Sequence, residues 1–124
     1  MICPCNSSLE YSNCCEIIHN DLSKAQTAES LMRARYSAFS LHLIDFLYNT
    51  FHPDTRRFQS KKEIENWAKE NKWMQLEIIK YTTNTVEFKT HYLDRDLQTH
   101  IHHEKSNFKL FQNKWYYYDG ILKN

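Results

Sequence analysis

The pattern of apolar and polar positions indicates helices in the first half of the chain. Residues 25–42 contain no glycine or proline, and Leu31, Ala38 and Leu41 recur near helical spacing, which predicts one long helix. A shorter apolar run over residues 43–51 predicts a second helix. This helix should end before a His-Pro pair, because the residue before proline avoids helical backbone angles.

A third helix is predicted from its N-terminal cap. Ser60 is followed three residues later by Glu63, which is the spacing of a capping box. Beyond this cap, Ile64, Trp67 and Ala68 recur at helical spacing and are predicted to form the buried stripe of the helix.

After residue 73 the apolar period changes from helical to two, which indicates strands. The segments rich in Val, Ile, Thr, Tyr and Phe predict strands over 74–81, 84–93, 98–111 and 114–121. Short polar separators between them predict hairpin turns at 82–83, 94–96 and 112–113. Helices followed by an antiparallel meander predict an α+β fold, with the helices packed on one face of a curved sheet of about four strands.

Four cysteines, Cys3, Cys5, Cys14 and Cys15, all fall within the first 15 residues. Their thiolates are soft ligands that suit tetrahedral zinc, and four of them leave no coordination position open. We therefore expect one structural Zn²⁺ per chain. Cys15 is the expected fourth ligand, and His19, four residues further on, is the alternative.

The compartment affects how these cysteines are interpreted. The N-terminus has neither the basic nor the apolar segment of a signal peptide, and no apolar run reaches the ~18–20 residues of a membrane span. A cytoplasmic location is expected, where thiols stay reduced. A disulfide-linked turn and a redox-active thiol pair remain as alternatives to the metal site.

Composition excludes several function classes. Gly120 is the only glycine among 124 residues, so neither a Walker loop nor a glycine-rich dinucleotide loop can form. The 16 basic and 15 acidic residues give a net charge of +1, which offers no electrostatic case for nucleic acid or an anionic membrane as a partner. The length predicts one main domain with a short appendage, divided as residues 1–20 and 21–124.

Specific stretches resemble a known motif and a known family. The sequence CPCNSS over 3–8, with a tyrosine and then a Cys-Cys pair, resembles the SEC-C zinc motif of the bacterial preprotein translocase ATPase. It departs from that motif at Asn6 and Ser8, where glycines are usual, which puts the loop geometry in question. In the translocase, the similar motif contacts other proteins, so the resemblance implies a protein partner for this segment.

The rest of the chain resembles the YchJ-like bacterial family. The resemblance lies in LMRARYSA over 31–38, TFHP over 50–53, HEKSNF over 103–108 and WYYYDG over 115–120. It implies a nuclear transport factor 2-like (cystatin-like) cone preceded by a small zinc knuckle. The family has no assigned activity.

The mouth of such a cone is a common place for a ligand pocket, and several polar residues are candidates for it. Arg35 is interpreted as a buried salt-bridge partner of Glu104 or Asp119, His52 as a helix cap, and the Asp119–Gly120 pair as a turn. The alternative is a small cone-pocket hydrolase or isomerase. There His52 or Glu104 would be the acid or base, with a raised pKa for a buried Glu104, and Arg35 would anchor an anion.

The leading hypothesis is a non-enzymatic bacterial protein. Its zinc knuckle would contact a protein partner, and its cone would bind a small ligand or a partner. Nucleic acid and membranes are not expected partners. A homodimer through the open sheet face is a further possibility, suggested by the aromatic run at 115–118. The three histidines at positions 100, 102 and 103 are interpreted as incidental strand residues, with a second metal site as the alternative.

Overall fold

The computed structural model describes residues 1–123, in which a cysteine-rich segment is followed by helices and then by a single sheet. The α-helices are α1 (Cys15–Asn20), α2 (Ala28–Leu41), α3 (Ile44–Asn49), α4 (Pro53–Arg56) and α5 (Lys61–Glu70). The strands are β1 (Lys72–Tyr81), β2 (Thr85–Leu93), β3 (Thr99–Phe111) and β4 (Lys114–Leu122). Within the described residues, no helix is both long enough and apolar enough to cross a membrane.

N-terminal caps explain where the two longer helices begin, and the cap at Ser60 was predicted. Thr27 and Ser30 exchange side-chain and backbone hydrogen bonds of 3.0 and 3.2 Å, so α2 begins at Ala28 rather than at residue 25. The hydroxyl of Ser60 accepts a hydrogen bond from the Glu63 amide at 3.2 Å, which confirms the predicted start of α5. Trp67 of α5 was predicted to be buried, and this was wrong, because 40% of it is exposed.

The sheet is antiparallel in the order β1-β2-β3-β4, and the predicted hairpins all form. Gln112 and Asn113 both adopt positive φ, 52° and 64°, which is the conformation of a tight turn between twisted strands. The turn predicted at Asp119–Gly120 was wrong. Both residues lie inside β4 and pair with β3, where Gly120 faces Ser106.

The edge of β4 that faces away from β3 is bonded to the segment between α3 and α4. The amide of Tyr117 donates to the carbonyl of Thr50 at 2.9 Å, and its carbonyl accepts from the amide of His52 at 2.7 Å. The end of α3 and the start of α4 are therefore fixed to the sheet.

One apolar core joins the cysteine-rich segment to the rest of the molecule. Three of the cysteines, Cys3, Cys5 and Cys15, are buried in the same cluster as Leu31 of α2 and Leu76 of β1. A smaller cluster lies between α2, α3 and α5. The helices thus pack on one face of an open four-stranded sheet, which confirms the predicted α+β class.

Candidate metal centre and cone cavity

The four cysteines converge on one point. Their sulfur atoms all lie within 4.8 Å of one another, with 3.6 Å between Cys5 and Cys14 and 4.0 Å between Cys14 and Cys15. The Ser7 hydroxyl lies 3.2 Å from the Cys14 sulfur. The structure therefore brings together all four predicted ligand residues as a set that can hold a metal ion.

The thiols of this cluster differ in acidity. A hydrogen bond from Cys15 lowers the pKa of Cys5 to about 4, against the opposing effect of burial. The pKa of Cys14 is raised, first by burial, and that of Cys15 is raised, first by its hydrogen bond to Cys5. Cys5 therefore ionises first, and a bound cation would favour loss of the remaining protons because metal ligation requires thiolates.

The loop between the cysteine pairs contains two residues in the left-handed backbone conformation, and neither of them is glycine. Asn6 and Ser8, which occupy the usual glycine positions of the motif, have φ of 66° and 69°. Asn6 also makes a contact that glycine cannot make, because its side-chain oxygen accepts a 2.7 Å hydrogen bond from the amide of Leu76 in β1. The asparagine thus fixes the loop to the edge of the sheet.

Glycine substitutions at these two positions should have opposite effects. We expect Ser8→Gly to raise the free energy of unfolding by about 0.5 kcal/mol, since it relieves a left-handed side-chain clash. Asn6→Gly should lower it by about 1 kcal/mol, because the Leu76 amide loses its acceptor. Urea denaturation of the zinc-loaded proteins measures both changes. Equal stabilisation by the two substitutions would contradict the anchoring role of Asn6.

His19, the alternative ligand, lies outside the sulfur cluster. Its Nε2–H donates to the carbonyl of Ala34 at 2.7 Å, and its Nδ1 accepts from the hydroxyl of Tyr11 at 2.6 Å. Burial lowers the pKa of His19, which favours this neutral form. Its ring also packs edge-on against Phe46, so His19 joins the cysteine-rich segment to the helices.

Helix α2 forms a wall shared by the cysteine-rich segment and the interior of the cone. Arg33 donates to the carbonyl of Cys5 at 2.9 Å, and the Ser37 hydroxyl lies 3.6 Å from the sulfur of Cys3. Residues of the same helix on its other side, among them Met32 and Tyr36, line a cavity between the helices and the sheet.

This cavity has a volume of about 490 Å³. Its wall is mainly aromatic, formed by Tyr36, Phe39, Phe58, Trp67, Trp73 and Tyr118. Its polar lining includes Arg35, Thr90, His102, Glu104 and Tyr117. The exposed Trp67 lies in this wall, so its side chain lines the cavity instead of packing in the core.

Arg35 is buried but does not form the salt bridge predicted for it. Its Nη1 donates to the carbonyl of Leu47 at 2.9 Å and to the hydroxyl of Thr50 at 2.5 Å. The rings of Phe51 and Tyr117 lie 4.6 and 4.7 Å from the guanidinium carbon. Tyr117 takes the place predicted for Arg35 because its hydroxyl binds Glu104. Burial lowers the pKa of Arg35 to about 10.

Glu104 is held as a carboxylate by three side chains. His102 lies 2.8 Å from its Oε1, and the hydroxyls of Ser106 and Tyr117 donate to Oε2 at 2.5 and 2.6 Å. The raised pKa that the enzyme alternative requires of Glu104 is not found. Burial acts to raise the pKa of Glu104, but these hydrogen bonds outweigh it and leave the pKa below its ordinary value.

The only glycine of the chain is explained by this network. A Cβ atom at Gly120 would lie 2.1 Å from Oε2 of Glu104 and 2.6 Å from the hydroxyl of Tyr117. Gly120 therefore leaves room for the Glu104 carboxylate, which a larger residue would have to displace.

His52 is a helix cap, but it caps the start of α4, a helix that the sequence did not predict, rather than the end of the helix before it. Its Nδ1 accepts from the amide of Asp54 at 3.1 Å, and its ring packs against Phe111 and Tyr118. It is not among the residues that line the cavity. The structure therefore places Arg35 and Glu104 in one cavity and His52 outside it.

The three strand histidines each bind a different carboxylate. His100 lies 2.7 Å from Asp94, whereas His102 and His103 each lie 2.8 Å from a glutamate, Glu104 and Glu87. Among residues 1–123, the cysteines form the only group of three or more metal-ligating side chains close enough to share an ion.

The sequence did not reveal one residue that holds Arg35 and one that lines the cavity. Thr50 was not predicted to accept a hydrogen bond from the buried Arg35, because this contact depends on how α3 lies against α2. Trp67 was assigned to the core, and the signal that it lines a cavity was its position within a mostly polar helix.

Comparisons with known proteins agree with both parts of the molecule. Residues 27–120 match the family described as "YchJ, middle NTF2-like domain", and residues 2–17 match the SEC-C motif. A UPF0225 protein of Photorhabdus laumondii is 36% identical over 97% of this chain and 80% of its own length. A UPF0225 protein of Vibrio vulnificus is 38% identical over 97% of this chain and 74% of its own length.

Two solved structures share the fold over the whole chain. The solution structure of a SEC-C motif containing protein from Rhodopseudomonas palustris has a TM-score of 0.90 and 27% identity, covering 100% of both chains. The crystal structure of a SEC-C motif containing protein from Psychrobacter arcticus has a TM-score of 0.78 and 32% identity, covering 100% of this chain and 84% of the other.

Proposed function

The chain belongs to the YchJ-like family, with a SEC-C motif ahead of a nuclear transport factor 2-like domain, and from this premise we propose that it is a zinc-binding protein whose cone receives a small molecule. The proposal rests first on the convergence of four cysteine sulfurs within 4.8 Å. The zinc ion would be structural, because four thiolates leave no position for a substrate or water.

The donor set fits this ion in geometry and in chemistry. Tetrahedral zinc with Zn–S bonds of about 2.3 Å places its sulfur ligands about 3.8 Å apart. The sulfur of Cys14 lies 3.6 Å from that of Cys5 and 4.0 Å from that of Cys15, close to this separation. Four thiolates of this kind form a closed site typical of structural zinc, and Cys3, Cys5, Cys14 and Cys15 would be the ligands.

Metal analysis of the purified protein tests the zinc site. We expect about one zinc per wild-type chain and loss of tight binding in Cys14→Ser, because three thiolates do not close a structural site. Ser12→Ala, in the turn just before Cys14, is the matched control and should keep its zinc. Stoichiometric zinc in Cys14→Ser would contradict the ligand set, and iron in the wild-type protein would contradict the ion.

The surface of the cysteine-rich segment supports a second part of the proposal, a docking surface for a protein partner. Met1, Ile2, Leu9 and Ile17 are large apolar residues that remain exposed on a segment of 20 residues. If the zinc-bound conformation forms the docking surface, the immobilised wild-type protein should capture more of the partner than the immobilised Cys14→Ser variant. The same partner held equally by both proteins would contradict this role.

The cavity supports the small-molecule part of the proposal. Its volume of about 490 Å³ lies within the range of about 300–1,000 Å³ typical of ligand pockets. Its aromatic walls with a few polar groups on the lining are the usual composition of such sites. An acid–base reaction at Glu104 is not proposed, since its hydrogen bonds hold it ionised.

A further inference from the structure

One edge of the Arg35 guanidinium has no partner within the protein. Arg35 is 4% exposed and lines the cavity, and only its Nη1 donates to protein groups among residues 1–123. Every side-chain nitrogen or oxygen that is sealed from solvent in that range has a hydrogen-bond partner. The Nε and Nη2 groups are therefore not sealed from solvent, and Arg35 is one of the residues that line the cavity.

The buried cation also lacks a contacting anion. Within the described residues, no carboxylate lies at salt-bridge distance from Arg35, and Glu104 is bonded to His102 instead. The rings of Phe51 and Tyr117 attract the cation, but they do not accept a pair of in-plane hydrogen bonds. A buried charge is normally paired, so the cavity favours an occupant that supplies an anion.

The shape of the open edge selects the kind of anion. The Nε–H and Nη2–H groups of an arginine point in parallel and match the two oxygens of a carboxylate. A phosphate dianion fits the site less well than a carboxylate, because its double charge costs more to desolvate among aromatic walls and is repelled more strongly by the ionised Glu104 of the same cavity.

The aromatic walls select the rest of the ligand. Trp67 and Phe58 line the cavity and are 40% and 72% exposed, and Trp73 and Phe39 lie in the same wall. A flat apolar body placed against these rings would bury surface that the protein leaves in water.

We propose that the cavity binds a small carboxylic acid with an aromatic body, whose carboxylate pairs with the Nε–Nη2 edge of Arg35. This inference rests on the proposed small-molecule function and specifies its ligand class. The anion would be held at the cavity floor, with the aromatic body lying against Trp67 and Trp73.

A matched pair of probes tests the ligand class without a mutation. The zinc-loaded full chain is titrated with 1-naphthylacetate and with its uncharged primary amide, and ¹⁵N NMR follows the Nε–H of Arg35 and the indole N–H groups of Trp67 and Trp73. We expect the acid to bind at least about tenfold more tightly than the amide, as for a lost charged hydrogen-bond pair. Only the acid should shift the Arg35 resonance.

Two variants add a control for the anchor itself. Arg35→Lys keeps the positive charge but loses the two parallel N–H donors of the guanidinium, and should lower the affinity for the acid about tenfold. Arg95→Lys, at an exposed arginine paired with Glu70, should leave it unchanged. A dispersed NMR spectrum shows that each variant is folded, and the probe comparison in the wild-type protein stands without them.

Each contrary outcome identifies which inference fails. Equal binding of acid and amide, with shifts at both tryptophans, would overturn the carboxylate class and leave the small-molecule cavity in place. Acid binding that shifts only residues outside the cavity would overturn the anchor. If neither probe perturbs the cavity residues, both the ligand class and the proposed small-molecule function are contradicted.

Discussion

Removal of the proposed zinc ion is expected to destabilise the whole chain rather than the cysteine-rich segment alone. Cys3, Cys5 and Cys15 are buried in the same core as Leu31 of α2 and Leu76 of β1, so loosening the ligands also loosens the packing of the cone. We expect chelation to lower the free energy of unfolding by about 5 kcal/mol, a large part of the total for a domain of this size. The melting temperature should fall by about 15 °C.

Calorimetry with a strong chelator measures the loss, and hydrogen exchange locates it. Amides in the middle of β2 and β3 should lose protection together with those of residues 1–20, and added zinc should restore both. Chelation that frees residues 1–20 while the sheet amides and the melting temperature stay unchanged would contradict this prediction. A division of the chain at residue 20 into two independently stable parts predicts that contrary result.

Gly120→Ala is expected to lower the free energy of unfolding by about 3 kcal/mol. The new Cβ would meet Oε2 of Glu104 at 2.1 Å, which displaces a carboxylate that accepts hydrogen bonds from Ser106 and Tyr117. Hydrogen bonds to a charged group contribute about 1.5–3 kcal/mol each, so losing this arrangement costs far more than a surface substitution. Chemical denaturation at neutral pH measures the change.

A double-mutant cycle and a pH series serve as controls for this prediction. In a Glu104→Ala background, Gly120→Ala should cost less, because the carboxylate that it displaces is gone. The native pKa of Glu104 is below its ordinary value, so its stabilising effect is present above the ordinary value of 4.5 and is lost as the pH falls through the native pKa. This acid loss of stability should be smaller in Gly120→Ala. An unchanged cost in the Glu104→Ala background would exclude the proposed clash.

The regular elements were predictable from the sequence because each of them carries its own local signal. The strands alternate in polarity, and Ser60 caps α5 through the Glu63 amide as its spacing predicted. The short helices α1 and α4, of 6 and 4 residues, were not predicted. α3 also has 6 residues, but the apolar run over 43–51 predicted it. Helices of this length are not stable without tertiary contacts. Such segments are helical only because the folded core holds them.

The candidate sites were predictable only in part, for a similar reason. The cysteine spacing is a local signal, and all four predicted ligands converge. A single sequence does not reveal non-local contacts. The position of Tyr117 as the partner of Glu104 depends on how β4 pairs with β3. The bond from Leu76 to Asn6 spans 70 positions in the chain, so it too depends on the complete fold.

The contacts on the two outer strands have a consequence for solubility. An open sheet ends in strands whose free amides and carbonyls are templates for another strand, and natural proteins obstruct such edges. Here the segment before α4 covers the outer edge of β4 at Tyr117, and Asn6 occupies the outer edge of β1 at Leu76. The loop that carries Asn6 therefore also protects the outer edge of β1 against the addition of another strand at this position.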